Sequence, residues 1–372
     1  MKNNLYIDLH ILQTIPPACV NRDDTGSPKT AMFGGARRAR VSSQAWKRAM
    51  RVMFAETLDE ADLAERTKRV VEKMAEHIVA KAQGAMEQEA ALALATKAVK
   101  AVEIKTEANK ARNDVEEAKA LFFMSNAQAD ALAALLVANP DASKKELKEV
   151  FKAGHGIEIA LFGRMVADDP DLNVDACAQV AHALSTHRAE IEFDYFTAVD
   201  DRQTNEESGA GMIGTVEFNA STLYRYATVA AHNLQDNLGS PDATARAVTE
   251  FVRAFALSMP TGKQNTFANR TQPYALAVMV RRDQPINLVG AFEKPIFAGT
   301  PGQEQGFAGR SATALAEYAV GQYKAFAGTP VKTLICCPGD ELDGLGERLA
   351  FPALLEALQA DLLAQLKAGD GA

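Results

Sequence analysis

Between Ala36 and Ala153 the chain holds one glycine, Gly84, and one proline, Pro140, while alanine, glutamate, lysine and leucine dominate. So long a stretch with almost no backbone breakers predicts a helical region. From Ala85 to Ala120 the apolar positions keep no heptad over several repeats, so several short packed helices are expected rather than a coiled coil. The flanks differ. Leu5 to Ile15 alternates apolar and polar residues, the pattern of an opening strand with one buried face, and a loop is expected through Pro16, Pro17 and Pro28 to Gly34 and Gly35. Beyond Gly154, Ile157 to Phe162 reads as a short strand or turn, and Val174 to His187 as a helix with Val180, Ala181 and Leu184 inward. The segment FDYFTAVDDRQTNEESGAGMIGTVEFN sets β-forming residues on both sides of a polar centre, which predicts a long hairpin with a mobile tip carrying Gly209, Gly211 and Gly214. Asp242 to Leu257 and Ser311 to Phe326 read as helices, and Tyr274 to Val280, Ile286 to Phe292 and Val331 to Cys336 as strands. The alternation predicts one α/β or α+β sheet domain.

With 47% hydrophobic and 24% charged residues, the chain is neither disordered nor collagen-like, and its 372 residues allow two or three units or one large domain with insertions. No apolar run approaches the roughly 18 residues of a membrane span, and the N-terminal stretch has no small-residue cleavage site, so a cytoplasmic location without membrane association is expected. Cys336 and Cys337 are neighbours and Cys19 and Cys177 are isolated, which forms neither a disulfide framework nor a zinc spacing. His182 and His187 are five apart, off the geometry of a helical metal pair, and the other histidines are scattered. A phosphate loop and a nucleophile elbow are absent, and GAGMIG at Gly209 to Gly214 opens no helix. No cofactor and no metal are expected.

The formal charge of -8 argues, taken whole, against binding a polyanion. Its distribution argues otherwise. Between Asp24 and Glu56 there is no acid, while Lys29, Arg37, Arg38, Arg40, Lys47, Arg48 and Arg51 carry seven positive charges, so the rest of the chain sums to -15. Ser42 or Ser43 is a natural cap for a helix with Trp46, Ala49, Met50 and Met53 as its apolar stripe, leaving Gln44, Lys47, Arg48 and Arg51 on the other faces. Free amides at the start of such a helix and cations along it suit a run of phosphates, and Gly34 with Gly35 lets main chain approach a ligand. On the residues alone, a solvated basic face fits about as well.

The succession of an opening strand, CVNRDD, a lysine, MFGGARRARVSSQAWKRAMR, IALFGRM, HALSTHR, FDYFTAVDD, GTVEFNASTLYRY and LQDNLG resembles the CasC family, the backbone subunit of the type I-E CRISPR surveillance complex called Cascade. The likeness spans most of the chain, dense up to about Gly239 and sparse from Leu58 to Val150. It implies an α+β, RNA-recognition-motif-like (ferredoxin-like) palm, with a helical finger insertion and a β-hairpin thumb. The corresponding segments are residues 1–57 for the first part of the palm with the basic helix, 58–155 for the finger, 156–190 for more palm, 191–220 for the thumb, and 221–372 for the palm remainder and C-terminal helices. It further implies a non-catalytic subunit, copies of which stack along one CRISPR RNA and kink it at intervals, leaving the bases between to pair with a target DNA strand. Other copies of itself, the large, small and guide-end-binding subunits, and a recruited nuclease-helicase are the implied partners.

Carried over by residue, Arg22, Lys29, Gln44, Lys47, Arg48 and Arg51 match guide-backbone contacts, with Ser42 joining through its hydroxyl; Gly34, Arg37 and Arg38 complete the expected RNA-binding set. Met165, Phe196 and Thr197 match positions that wedge around the displaced nucleotide, where apolar groups stack against bases. Lys144, Lys145, Lys148 and Lys152 match a basic patch suited to target-DNA phosphates, though Glu146 and Glu149 dilute it and a solvated helix face is the stronger reading. The rival hypothesis is a metal-dependent endoribonuclease of a type III-like complex using Asp23 or Asp24, with Asp200 and Asp201 as the other acid pair. A small-molecule enzyme with an anion site on the basic helix is a third.

Overall fold

Residues Leu5 to Leu12 place apolar side chains at both odd and even positions, and the computed structural model makes this segment a strand buried on both sides. Ile7, Leu9 and Ile11 fill one face, and Asp8, His10 and Leu12 are equally buried on the other. Only one buried face was expected; the second is covered because the strand lies inside the sheet with layers on both sides. It also runs from Tyr6 to Ala18, past the two prolines at which a loop was expected.

The structure describes residues 4–166, 168–198, 212–299 and 306–369. The chain divides into two units: Met1–Met53, Val180–Thr228 and Phe251–Ala364 form the first, and Phe54–Gln179, Val229–Glu250 and Gln365–Ala372 the second. In the sheet the strands run in the order Glu347–Arg348, Lys332–Cys336, Ala275–Arg281, Tyr6–Ala18, Met212–Ala230, Ala183–Ser185, Ala36–Val41, Thr30–Phe33. The opening strand is antiparallel to Ala275–Arg281, with Tyr6 opposite Arg281 and Leu12 opposite Ala275. In chain order, Tyr6–Ala18, helix Ser43–Thr57, Ala183–Ser185, Met212–Ala230, helix Pro241–Leu257 and Ala275–Arg281 make a β-α-β-β-α-β unit. Their spatial order, fourth strand beside first, then third, then second, is the ferredoxin-like arrangement.

One face of the sheet packs Leu12, Tyr224, Met279 and Ile335 against Leu315 and Ala319 of helix Gly306–Ala325 and against Leu288 and Phe292. A polar thread crosses this core. The Tyr226 hydroxyl donates to Asp8 at 3.0 Å, the Ile286 amide donates to the other Asp8 oxygen at 2.8 Å, and His10 Nδ1 lies 2.9 Å from the Tyr224 hydroxyl. Burial pushes the Asp8 carboxyl up to about 6 and pulls the His10 imidazole down to about 3. On the opposite face Arg225 is fully buried. Its guanidinium lies 3.6 Å from the Trp46 ring centroid and 4.7 Å from that of Phe255, and it donates to Gln13 Oε1 and to the Phe255 carbonyl.

Several expected elements change type. Ala36–Val41 is a strand, not the start of the helical region; it pairs with Thr30–Phe33 across Gly34 and Gly35, whose φ values of 57° and 73° make the two-residue turn that a tight hairpin needs. The helix expected over Val174 to His187 is instead two short strands, Ala178–Val180 and Ala183–Ser185, with Val180, Ala181 and Leu184 only half-buried. Its backbone pairs laterally: the Ala181 amide donates to the Tyr226 carbonyl and the Thr186 amide to the Thr222 carbonyl. The strand expected over Ile286 to Phe292 is a 3-10 turn, Leu288–Phe292, opened by the Asn287 side chain accepting from the Val289 amide.

The second unit carries helices Val70–Lys81, Gln88–Ala101, Asn126–Ala138, Lys144–Phe151 and Gly156–Phe162. The last of these replaces the strand or turn expected there. Met74, Ile78, Val99, Leu132, Leu136 and Phe151 meet in its core. It is not helical throughout: Ala64–Thr67 pairs with Phe122–Ser125, and Thr106–Asn109 with Val115–Ala118. No described helix is long and apolar enough to cross a membrane, and the four cysteines are free thiols.

Two measurements check this architecture. Arg225→Ala strips the partners from Gln13 and the Phe255 carbonyl and leaves a cavity on Trp46, so urea denaturation should show a loss of about 3 kcal/mol or more. Asp8 prefers its neutral form in the fold, so its contribution is complete below the unfolded value of 3.8 and is lost as pH rises through about 6. Asp8→Asn should therefore be more stable than the parent near neutral pH by up to about 3 kcal/mol, with the difference vanishing near pH 4.

Candidate nucleic-acid interface

The basic helix is held at its start by Ser42, whose Oγ accepts from the Ala45 amide at 3.3 Å while its own amide donates to Asn21 Oδ1 at 2.8 Å. Trp46, Met50 and Phe54 are the buried stripe; Ala49 and Met53 are only half-buried, because the helix turns them off the packed line. Gln44 and Arg48 are exposed, and Lys47 and Arg51, one turn apart, are half-buried. Ser42 itself is 5% exposed, its hydroxyl engaged in the cap.

Asn21 also fastens the preceding loop, since its carbonyl accepts from the Lys29 amide at 2.9 Å and Arg22 pairs with Pro28. Exposed Arg22 and half-buried Lys29 are thereby fixed beside the helix N-terminus. Within the loop Asp23 Oδ1 accepts from the Thr25 amide at 2.9 Å, the Thr25 hydroxyl at 2.7 Å and the Ser27 amide at 3.0 Å. The Thr25 hydroxyl bond leads in holding this carboxyl below its ordinary value. An oxygen that closes a turn with three donors is occupied in ordering the loop. Asp24 is exposed, and Asp200 and Asp201 lie outside the described residues.

In ARRARV the neighbouring arginines part company. Arg37 is exposed. Arg38 is completely buried and donates to four carbonyls: Phe33 at 3.2 Å, Ser185 at 3.0 Å, Phe292 at 2.8 Å and Glu293 at 3.2 Å. It is an internal tie, and its expected place among the RNA contacts is corrected on that ground. Gly34 is exposed, and a Cβ there would sit 1.6 Å from the Glu293 carbonyl oxygen. It permits a close approach to the Glu293 main chain.

The hairpin arms Glu192–Ala198 and Met212–Phe218 pair with Glu192 opposite Phe218 and Ala198 opposite Met212. Phe196 is half-buried over Gly214, where an added Cβ would come within 2.4 Å of its ring. Thr197, opposite Ile213, is exposed, as are Phe193, Tyr195 and Met212. Gly209 and Gly211 of the expected tip lie outside the described residues.

In the second unit the GRM triplet divides into three jobs. Gly163, at φ 75°, turns the chain where a Cβ would meet the Val174 carbonyl oxygen at 2.8 Å. Arg164 is buried, donating to Leu172, Phe123 and Phe151 carbonyls and to Gln128 Oε1 at 2.9 to 3.3 Å, and burial lowers it to about 10. Met165, 85% exposed, is thereby displayed on a rigid base, at a cleft of about 550 Å³ that Arg66, Leu121 and Phe123 also line. Of the four finger lysines, Lys144 pairs with Glu103 at 2.6 Å, and Lys148 with Asp169 at 2.5 Å and Asp171 at 3.2 Å. Lys145 and Lys152 are exposed.

Reading residues in sequence order misses Arg40 and His182, whose side chains meet at 3.2 Å. Arg40 lies in the acid-free span and so carried a signal; nothing in the spacing marks His182.

A family model described as CT1975-like protein matches residues 7–359. Two solved structures are similar over nearly the whole chain. A subunit of a CRISPR RNA-guided surveillance complex described as pre-nicking is 34% identical, with a TM-score of 0.84, covering 96% of this chain and 100% of that one. A subunit of another CRISPR RNA-guided surveillance complex is 29% identical, with a TM-score of 0.74, covering 96% and 99%. No curated protein matches.

The division of labour in GRM has a measurable consequence. Arg164→Ala should cost about 3 kcal/mol or more in urea denaturation, because three carbonyls and an amide oxygen lose their donor. Met165→Ala, at a displayed position, should change stability by no more than about 0.5 kcal/mol.

Proposed function

The chain belongs to the CT1975-like protein family, and from that premise we propose that it is the repeated RNA-binding backbone subunit of a type I-E CRISPR surveillance complex. Copies line one CRISPR RNA, each gripping the backbone through Arg22, Lys29, Arg37, Gln44, Lys47, Arg48 and Arg51. The observation that carries this reading is the docking of the Arg22 to Lys29 loop on the cap of the basic helix through Asn21, which brings the loop cations beside those of the helix. Phosphates of a single strand are the ligand such a surface suits, through its charge.

Met165, on its Arg164 base, and Phe196 and Thr197, on the hairpin arms, are the groups that disturb base stacking at intervals. Target DNA pairs with the exposed guide bases, and Lys145 and Lys152 are the finger cations still suited to its phosphates, since Lys144 and Lys148 are paired within the chain. The remaining subunits close the guide ends and recruit a nuclease-helicase. The subunit works in the cytoplasm as a scaffold and cuts nothing itself. The role of Asp23 as a turn-closing acceptor supports this over a metal-dependent ribonuclease.

Reversing both charges in Lys47→Glu/Arg51→Glu should abolish RNA of defined length co-purifying with the assembly. Unchanged RNA content sinks the proposal. Incubating the assembly with matched RNA and Mg²⁺ or Mn²⁺ should leave strands intact; cleavage lost in Asp23→Asn or Asp24→Asn would establish the nuclease instead.

A further inference from the structure

We propose that Lys29, Arg40 and His182 form a clasp for one backbone phosphate of bound single-stranded RNA, at the edge of the sheet in the first unit. The proposal rests on the RNA-binding reading above and adds Arg40 and His182 to it.

Strand pairing assembles the three. The Arg40 amide donates to the Lys29 carbonyl at 2.9 Å, setting these residues across from each other. On the other side Arg40 is opposite Leu184 and Val41 opposite Ala183, so His182 sits one step further along the same edge. The guanidinium is anchored by Nε donating to the Thr30 carbonyl at 3.2 Å, and its Nη1 lies 3.2 Å from His182 Nδ1. Arginine keeps its proton under all ordinary conditions, so Nη1 donates and the imidazole accepts at Nδ1. That tautomer places the remaining proton on Nε2, an outward donor on an exposed ring.

The Arg40 guanidinium and the His182 imidazole thus meet beside Lys29, whose charge acts on the same imidazole, and no carboxylate pairs with Lys29 or Arg40 among the described residues. The His182 imidazole is disfavoured from charging by burial first, then by Arg40 and Lys29. Several other cations do have acids: Arg69 and Arg112 share Glu72, Arg246 bridges Asp59 and Asp62, and Lys148 bridges Asp169 and Asp171. A phosphate supplies the missing counter-charge and enough acceptor oxygens for the ammonium, the unused guanidinium N–H groups and the Nε2 proton. It would also bind close to the Arg22 loop, which the Lys29 amide ties to Asn21.

The test uses the full chain and a fluorescein-labelled single-stranded RNA, followed by anisotropy across a potassium chloride series. Lys29→Gln should reduce the slope of log affinity against log salt by about 0.7, the increment for one phosphate contact on a single strand. His182→Ala, which removes a neutral donor, should weaken binding roughly three- to tenfold with the slope unchanged. Melting temperatures matching the parent confirm intact folds. In a second readout, the His182 ring signals, assigned by their loss in His182→Ala, should shift on adding the RNA. A shift with inorganic phosphate and none with RNA overturns the assignment in favour of a free-anion site. If Lys29→Gln and His182→Ala bind RNA as the parent does while Lys47→Glu/Arg51→Glu does not, the clasp falls and the scaffold reading stands. If the clasp variants lose affinity and the helix variant does not, the helix reading falls and the clasp stands. A parent chain without RNA affinity overturns both.

Discussion

The guanidinium of Arg225 is where the ferredoxin-like unit is tied together. It comes from the long third strand, donates to Gln13 of the first strand and to the Phe255 carbonyl of the second helix, and lies flat against Trp46 of the first helix. Four of the six elements of the β-α-β-β-α-β repeat meet at one planar cation. A desolvated cation over an indole contributes on the order of 2 kcal/mol, and the two hydrogen bonds offset part of the burial cost of a charge whose Nε has no partner. Because Trp46 is part of that stack, the basic helix is fixed in rotation as well as position. On the faces that Trp46, Met50 and Phe54 leave, Gln44 and Arg48 are exposed and Lys47 and Arg51 half-buried.

The same chemistry recurs with opposite outcomes along the chain. Arg38 and Arg164 are buried and spend their N–H groups largely on backbone carbonyls, joining segments distant in sequence, while buried Arg225 divides its bonds between Gln13 and the Phe255 carbonyl, and buried Arg281 between Asp283 and the Gln284 and Gly328 carbonyls. Arg22, Arg37 and Arg48 are exposed. Guanidinium is well suited to both tasks, since five donors in a rigid fork satisfy several carbonyls as readily as a phosphate. Counting basic residues therefore overstates the surface: of the seven cations in the acid-free span, Arg38 is wholly consumed inside. Adjacent arginines on a strand point to opposite faces, which is why Arg37 and Arg38 differ.

Much of the fold was legible, and the failures share a cause. The opening strand, helix Pro241–Leu257, helix Gly306–Ala325 and the hairpin arms each declare themselves by periodicity within the segment. The small strands do not. Thr106–Asn109 and Val115–Ala118 are four residues each and join through Asn113 and Asp114, at φ 52° and 58°, so turn chemistry inside an Ala- and Glu-rich stretch outweighed composition. Ala178–Val180 and Ala183–Ser185 became strands because backbone partners, such as the Tyr226 carbonyl, arrive from elsewhere in the chain. In the candidate site, the cap at Ser42, Trp46 and Met50 of the apolar stripe and the exposed Arg48 followed from local spacing, whereas Phe54 took the buried place expected of Met53.

By itself the sequence determined what is local: a capped basic helix with one apolar stripe, a glycine pair that must turn, a hairpin, and an acid-free span whose charge the acidic remainder hides. Only the tertiary structure decided which cations face water. The carbonyls that absorb Arg38 lie up to 255 residues away in sequence, and the meeting of Arg40 with His182 spans 142 residues. Side-chain fate at such positions is set by which distant backbone groups need a donor, and that demand exists only after the strands have found their neighbours.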